Sequence, residues 1–340
     1  MVPQKALVLL AACLLLTSIL ISGCTNMQGK TTNATKSYPN KPITVIVPYS
    51  AGGGLDLLAR SLEKKAPQYL GQPLIVVNKP GGAGCIGWNE LASAKPDGYT
   101  LGISAIDLLI QPLYGVTKYH YPTALEPIAQ VATSPFLMVV NAEQPWHEVD
   151  AVVNYAKQCP GQLKFGHSGI GSTSHIIGET FANVAGITLE RVPFHGANDS
   201  TVALLGKHIQ VAFIPPSTVK EQIKNGTLRA LATTGEKRLT DPELAQIPTF
   251  MELGLDIVST TWIGVAAPKN LPPEIKTVLE EGFKAMIADS EIKANIENLN
   301  WQIEYLNSEN SKAKWSSDVN KLAKSIRETG ILEQIKTQKK

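Results

Sequence analysis

Short apolar runs alternate with stretches of helical spacing along most of the chain. Ile43-Thr-Val-Ile-Val47 is rich in β-branched residues and stops at Pro48, and from Asp56 to about Tyr69 the residues Leu57, Leu58 and Leu62 recur at helical spacing. Leu74–Val77 is the next strand-like run. A Gly-rich turn follows, then a short helix from about Cys85 to Ala94 that Pro96-Asp97-Gly98 ends, then a third strand over Tyr99–Ser104. This βαβαβ rhythm predicts a parallel sheet covered by helices.

The rhythm recurs further on. Strands are predicted over Leu163–Phe165, Thr188–Val192 and Val211–Ile214, with helices over Ser172–Ala185, Asp199–Leu205 and Val219–Asn225. Two extended apolar runs, Phe136–Val140 and Thr261–Ala267, bracket this second α/β unit, as they would if the chain crossed to another lobe and returned. The remainder, Pro273–Ile287, Ser290–Leu299 and Ser311–Gln334, reads as helices that pack back on the first lobe. The expected division is residues 41–141 plus 264–340 for lobe 1 and 142–263 for lobe 2. No repeat of 20–50 residues is evident.

The first forty residues follow different rules. Lys5 precedes an apolar run from Ala6 to Ile21, which ends in Ile21-Ser22-Gly23-Cys24. Small residues directly before a cysteine, after such a run, read as a lipoprotein signal over 1–23 that leaves Cys24 as the acylated first residue. A retained anchor or an ordinary signal peptide is the alternative. Residues 24–40 are polar and aperiodic, a tether that cannot repay its own ordering entropy.

Charge and cysteine content then narrow the function. The 340 residues carry 31 Lys+Arg against 29 Asp+Glu, a formal net charge of +2, which offers no general pull toward nucleic acid. With 4 Cys and no CxxC, a zinc ribbon, a thioredoxin-type motif and a dense disulfide scaffold are excluded. Cys85 and Cys159 read as two small buried hydrophobes, with their pairing left open.

Three glycine-rich turns invite chemistry. Pro48-Tyr-Ser-Ala-Gly-Gly-Gly-Leu-Asp56 joins a strand to a helix, where free helix-start N–H groups make an anion site; with no Gly-Lys-Ser/Thr it is not a P-loop, and Asp56 reads first as the helix N-cap. Gly82-Ala-Gly84-Cys-Ile-Gly87 matches GxGxxG, with Asp107 twenty residues on. Pro80 and the helix cut short by Pro96 argue against a dinucleotide site and for a close-packed turn. Gly166-His-Ser168-Gly-Ile-Gly-Ser172-Thr-Ser-His175 resembles a nucleophile elbow but has Ile170 where the closing glycine belongs, so its hydroxyls read as a cap and polar cradle. The histidines show neither HxH nor HExxH spacing, so no metal and no cofactor is expected.

IVPYSAGGGLDLLAR (Ile46–Arg60), NKPGGAG (Asn78–Gly84), KPDGYTL (Lys95–Leu101), FGHSGIGSTSH (Phe165–His175) and VPFHG (Val192–Gly196) together resemble the solute-binding receptors of tripartite tricarboxylate transporters, the Bug family. The likeness runs from about Tyr38 to the C-terminus. It implies a two-lobed periplasmic-binding-protein type II (Venus flytrap) fold, each lobe a mostly parallel sheet flanked by helices, with a small organic anion held between the lobes. Carried onto this chain, one pincer is Tyr49, Ser50, Ala51, Gly52, Gly53, Gly54 and Asp56. The other is Ser168, Gly169, Gly171, Ser172, Thr173, Ser174 and His175, and Phe194, Gly196 and Asn198 add a wall. Lys79, Leu55 and His195 depart from the residues usual at their positions.

The function so implied is a receptor, not an enzyme. It would be a monomer, lipid-anchored through Cys24 on the outer face of the cell membrane or in the periplasm. It would pass a small carboxylate (a di- or tricarboxylate, an amino acid or an aromatic acid) to membrane permease subunits. Rival readings are an exported hydrolase using Ser168 with His175 or His195, a nucleotide-dependent oxidoreductase, and a surface scaffold that binds only proteins.

Overall fold

The β-branched run near the start forms the centre of the first sheet. β1 (Ile43–Val47) lies between β2 (Leu74–Asn78) and β3 (Thr100–Ala105), parallel to both, with Val45 opposite Val76 and Leu101. The computed structural model describes residues 38–115, 117–328 and 332–333. The signal segment 1–23, Cys24 and most of the tether lie outside those residues.

Helix α1 (Gly54–Leu70) covers β1 and β2, α2 (Cys85–Ser93) covers β3, and two one-turn helices follow, α3 (Asp107–Ile110) and α4 (Tyr121–Ala124). The chain then enters β4 (Leu125–Pro135) and passes at Phe136 directly into β5 (Leu137–Asn141) of a second sheet. That sheet is completed by β6 (Lys164–His167), β7 (Glu190–Pro193), β8 (Val211–Ile214) and β9 (Leu228–Thr233), in the order β7-β6-β8-β5-β9. Its helices are α5 (Val149–Gln158), α6 (Thr173–Ala185), α7 (Ala197–Leu205) and α8 (Pro216–Lys224). β10 (Thr260–Pro268) returns to the first sheet between β3 and β4, and α9 (Pro273–Ala288), α10 (Ser290–Asn298), edge strand β11 (Gln302–Asn307) and α11 (Ser308–Glu328) finish the chain there.

Both sheets are mixed, a correction to the mostly parallel expectation. β10 runs antiparallel to β3 and β4, and β5 runs antiparallel to β8 and β9. The local βαβ rhythm reports only parallel neighbours; the antiparallel strands are those that cross between sheets, which no local pattern records. Leu137–Asn141, expected with the first lobe, is hydrogen-bonded into the second sheet, and Thr260–Ile263, expected in the second, pairs in the first. An apolar run buried on both faces reads alike in either sheet. β4, β9, β11 and α5 were not legible at all; β4 carries Pro127, Gln130 and Ser134 yet is buried over most of its length.

Each sheet has its own core. Trp88, Trp262, Trp315, Tyr49 and Tyr121 pack on the first, and Phe165, Phe181, Phe213 and Phe250 on the second. Side chains of this size each contribute about 1.5–3 kcal/mol when fully buried. The loops at the carboxyl ends of β1, β3 and β6 are thereby held against firm layers. Cys85 and Cys159 are not joined in a disulfide, and both are half-buried, not fully buried. Among the described residues no helix is long and apolar enough to cross a membrane.

Candidate functional site

The loop after β1 is braced from behind by Asp56. Burial pushes its carboxyl up, but bonds from Arg60, Gly52 and Asn78 outweigh that and hold it below the ordinary carboxylate value. Its Oδ2 accepts Gly52 N–H and Arg60 Nε–H, each at 2.9 Å, and its Oδ1 accepts Asn78 Nδ2–H at 2.9 Å. Asn78 also donates to Tyr49 O at 3.1 Å. The N-cap position itself is Gly53, which has no side-chain cap, so Asp56 stands in the first turn and ties the loop rather than capping the helix. The N–H groups of Gly54, Leu55 and Asp56, first in α1, have no preceding helical carbonyl to bond.

The loop after β6 is capped as expected and is also largely spent. Ser172 is the N-cap of α6, its Oγ accepting His175 N–H at 3.3 Å. Ser174 Oγ accepts Ser168 N–H at 3.0 Å, and His175 Nδ1 accepts Gly171 N–H at 3.0 Å. Thr173 N–H goes to Asp107 Oδ1 at 2.7 Å and the Thr173 hydroxyl to Asp107 Oδ2 at 3.0 Å. A carboxylate of the first sheet thus already occupies the N-terminus of a helix of the second. Of these two helix starts, only that of α1 keeps its first N–H groups clear of a carboxylate from the other sheet.

Between these loops lies a cleft enclosing about 490 Å³, its mouth included. Nine of the residues expected from the sequence line it: Tyr49, Ser50, Gly53, Gly54, Asp56, Ser168, Ser172, Thr173 and Ser174. Leu55, Asp107, Phe136, Ala197, Pro215 and Thr261 complete the lining. Asp107 was visible in the sequence only as the acid of a false dinucleotide fingerprint. Phe136, Pro215 and Thr261 had no local signal, because they reach the cleft from strand ends and crossings.

The other expected residues do not line the cleft. Four of them pack at contacts between the two sheets' loops. A Cβ at Gly196 would stand 2.3 Å from Ser50 Oγ, one at Gly171 2.4 Å from the Tyr114 ring, one at Gly169 2.9 Å from Ala83 N, and one at Gly52 3.3 Å from the Asn198 amide. Ser50 N–H donates to His195 O at 3.3 Å. Asn198 therefore meets Gly52 at such a contact, whereas Phe194, partly buried, packs against the core of the second sheet near Ile209. Ala51 is exposed on the loop.

His175 is fully buried behind the second loop. Its Nε2 faces Glu179 Oε1 at 3.3 Å, and Glu179 is held by both Nε and Nη2 of Arg191. Burial pushes the Glu179 carboxyl up, but bonds from His175 and Arg191 bring it down to about 2. His175 Nδ1 is taken by Gly171 N–H and its Nε2 faces Glu179. His167 stacks on His175 at 4.2 Å between ring centres, and burial with that neighbour lowers its imidazole to about 3. Among the described residues no group of three His, Cys, Asp or Glu could hold a metal ion.

Two mixed sheets with strand-to-helix loops converging on one cleft define a periplasmic-binding-protein fold. The structure of periplasmic binding protein BugD matches it with a TM-score of 0.82 at 29% identity, over 86% of this chain and 99% of that one. An R. palustris protein solved with adipate matches with a TM-score of 0.80 at 25% identity, over 86% of this chain and 98% of that one. The "UPF0065 protein in gbd 5'region" of Cupriavidus necator is 33% identical over 85% of this chain and 87% of its own length. The family model for the tripartite tricarboxylate transporter family receptor matches residues 58–331, and the chain belongs to that family of solute-binding receptors.

Proposed function

We propose that this protein captures a small carboxylate outside the cytoplasm, in the cleft between two lobes, and hands it to membrane permease subunits without transforming it. The observation that carries the reading is the cleft itself. It is faced by the unspent N–H groups at the start of α1 and by the Ser50 hydroxyl, which has no hydrogen-bond partner. A helix end contributes about 0.3–1 kcal/mol to an anion, and charge-assisted hydrogen bonds about 1.5–3 kcal/mol apiece. A few of them reach the roughly 8 kcal/mol of a micromolar complex after ordering costs. The adipate-bound relative supports a carboxylate as the ligand class, and the family's transporter membership supports permease partners.

The two lobes are each founded on one sheet and hinge at the crossings near Phe136 and before Thr260. Ligand contacts come from the nine lining residues expected from the sequence, while Gly52, Gly169, Gly171 and Gly196 let the lobes approach. The chain acts as a monomer anchored by lipid on Cys24, a reading that rests on Ile21-Ser22-Gly23-Cys24.

A thermal-shift screen with mono-, di- and tricarboxylates, amino acids and aromatic acids tests the binding reading. A ligand at a hundred times its Kd stabilises by about 2.7 kcal/mol, and a screen in which no acid raises Tm rejects it. Cys24→Ser releases the protein from the membrane fraction; continued attachment rejects the lipid anchor.

A further inference from the structure

Contacts between the two lobes differ in how their polar groups are served. At the start of α6 the contact is made by hydrogen bonds: Thr173 donates to Asp107, and Gln111 Nε2 donates to Gly171 O at 2.8 Å. At the start of α1 such bonds are missing. A Cβ on Gly54 would stand 2.5 Å from Ser217 Oγ and 3.6 Å from Trp301 Nε1. Ser217 comes from the first turn of α8 in the second lobe, and Trp301 from the join between α10 and β11 in the first. Both atoms are closed to solvent, and neither has a hydrogen-bond partner.

A serine hydroxyl has one donor and two acceptor positions, and an indole N–H is a donor only. Parting the lobes gives water to the Ser217 hydroxyl and to the edge of the indole beside it. Closing strips that water and returns no bond, which costs the full desolvation of each group. Neither side chain lines the cleft, so a ligand held there leaves both unpaired. The cost is therefore the same for every ligand and is offset only by contacts made elsewhere.

We propose that Ser217 and Trp301, sealed together against Gly54, oppose closure of the lobes, so that the unliganded protein favours the open form and every ligand binds more weakly than its cleft contacts alone would allow. This deepens the receptor reading above and rests on its hinge. A ligand that needs the closed form binds with its intrinsic affinity multiplied by the fraction of molecules closed. A group that makes closure costly thus acts on all ligands by one factor, whereas a group that touches ligand acts on each by a different one.

Ser217→Ala removes the hydroxyl and keeps a good helix former in the first turn of α8. Adipate, succinate, glutamate and benzoate, with any acid that raises Tm in the thermal-shift screen, are titrated into the full-length wild type and variant by calorimetry, and stopped flow gives the rates. Every acid that binds the wild type is expected to bind the variant tighter by one common factor, about fivefold or more, mainly through slower dissociation. Trp301→Phe, which deletes the indole N–H, gives a common factor in the same direction. Unchanged or weaker binding to Ser217→Ala overturns the proposal while leaving the carboxylate receptor standing, and so does a gain that differs from acid to acid. A gain in Ser217→Ala without one in Trp301→Phe overturns the assignment to Trp301. Failure of every acid with the wild type overturns the receptor reading and this proposal with it. Should either variant fail to fold by circular dichroism, Ser217→Gly or Trp301→Leu takes its place.

Discussion

Asp56 shows how much one side chain can hold. Its carboxylate collects Gly52, Arg60 and Asn78, and with it the loop that presents the α1 amides. Asp56→Ala removes the acceptor of the part-buried Gly52 N–H, of one Asn78 amide N–H and of Arg60, so a loss of about 2–4 kcal/mol in urea unfolding is expected. His167 belongs to the same scale. Its folded imidazole titrates at about 3, below the ordinary 6.5, so between those values the unfolded chain binds the extra proton and stability rises with pH. The protein therefore loses stability as pH falls from 6.5 toward 3. His167→Phe, which fills the stack beside Phe165 and His175, flattens that part of the profile, as urea midpoints at pH 7, 5.5 and 4 will show. Glu179 adds the low end. Its stabilisation is full above about 4.5 and disappears as pH drops through its folded value of about 2. The sequence pointed to Asp56 as a cap and to His175 as a ligand contact. Both readings placed the residue in the right loop and missed its role, because partners such as Arg60 and Arg191 are brought up by neighbouring turns and strands.

At the level of elements, the glycine-rich turns do two jobs. Gly53 and Gly54 bring backbone N–H groups to the cleft, whereas Gly169 and Gly171 allow a turn of one sheet to touch a turn of the other. Gly169 has φ near +105°, and a Cβ there meets the Ala83 backbone at 2.9 Å. Gly161 has φ near +74° with open space around it. Gly161→Ala should therefore cost only the backbone strain, about 1 kcal/mol. Gly169→Ala should cost similar strain and also weaken ligand binding about tenfold or more, by about 1.4 kcal/mol. Unfolding curves and calorimetry on the two variants separate these effects, and equal affinity losses would count against the contact role. Both motifs stood out by composition alone. Which glycine faces ligand and which faces protein depends on the opposite loop, tens of residues away.

For the whole molecule, the proposed hinge makes a measurable demand. A ligand that completes its bonds only when both lobes touch it shifts the population toward the closed form. Saturating ligand should then lower the radius of gyration in solution scattering, and Gly169→Ala should blunt that change. The alternation of β-branched runs with helical spacing, and the turns that join them, was enough to place most helices, the parallel strands and the two loops of the cleft, since these depend on contacts within a few residues. What local pattern left open was the pairing of β4, β5, β9, β10 and β11, and the seat of Asp107. Antiparallel pairing across sheets and the meeting of Asp107 with Thr173 join residues far apart in the chain, and their free energy exists only once both layers are packed.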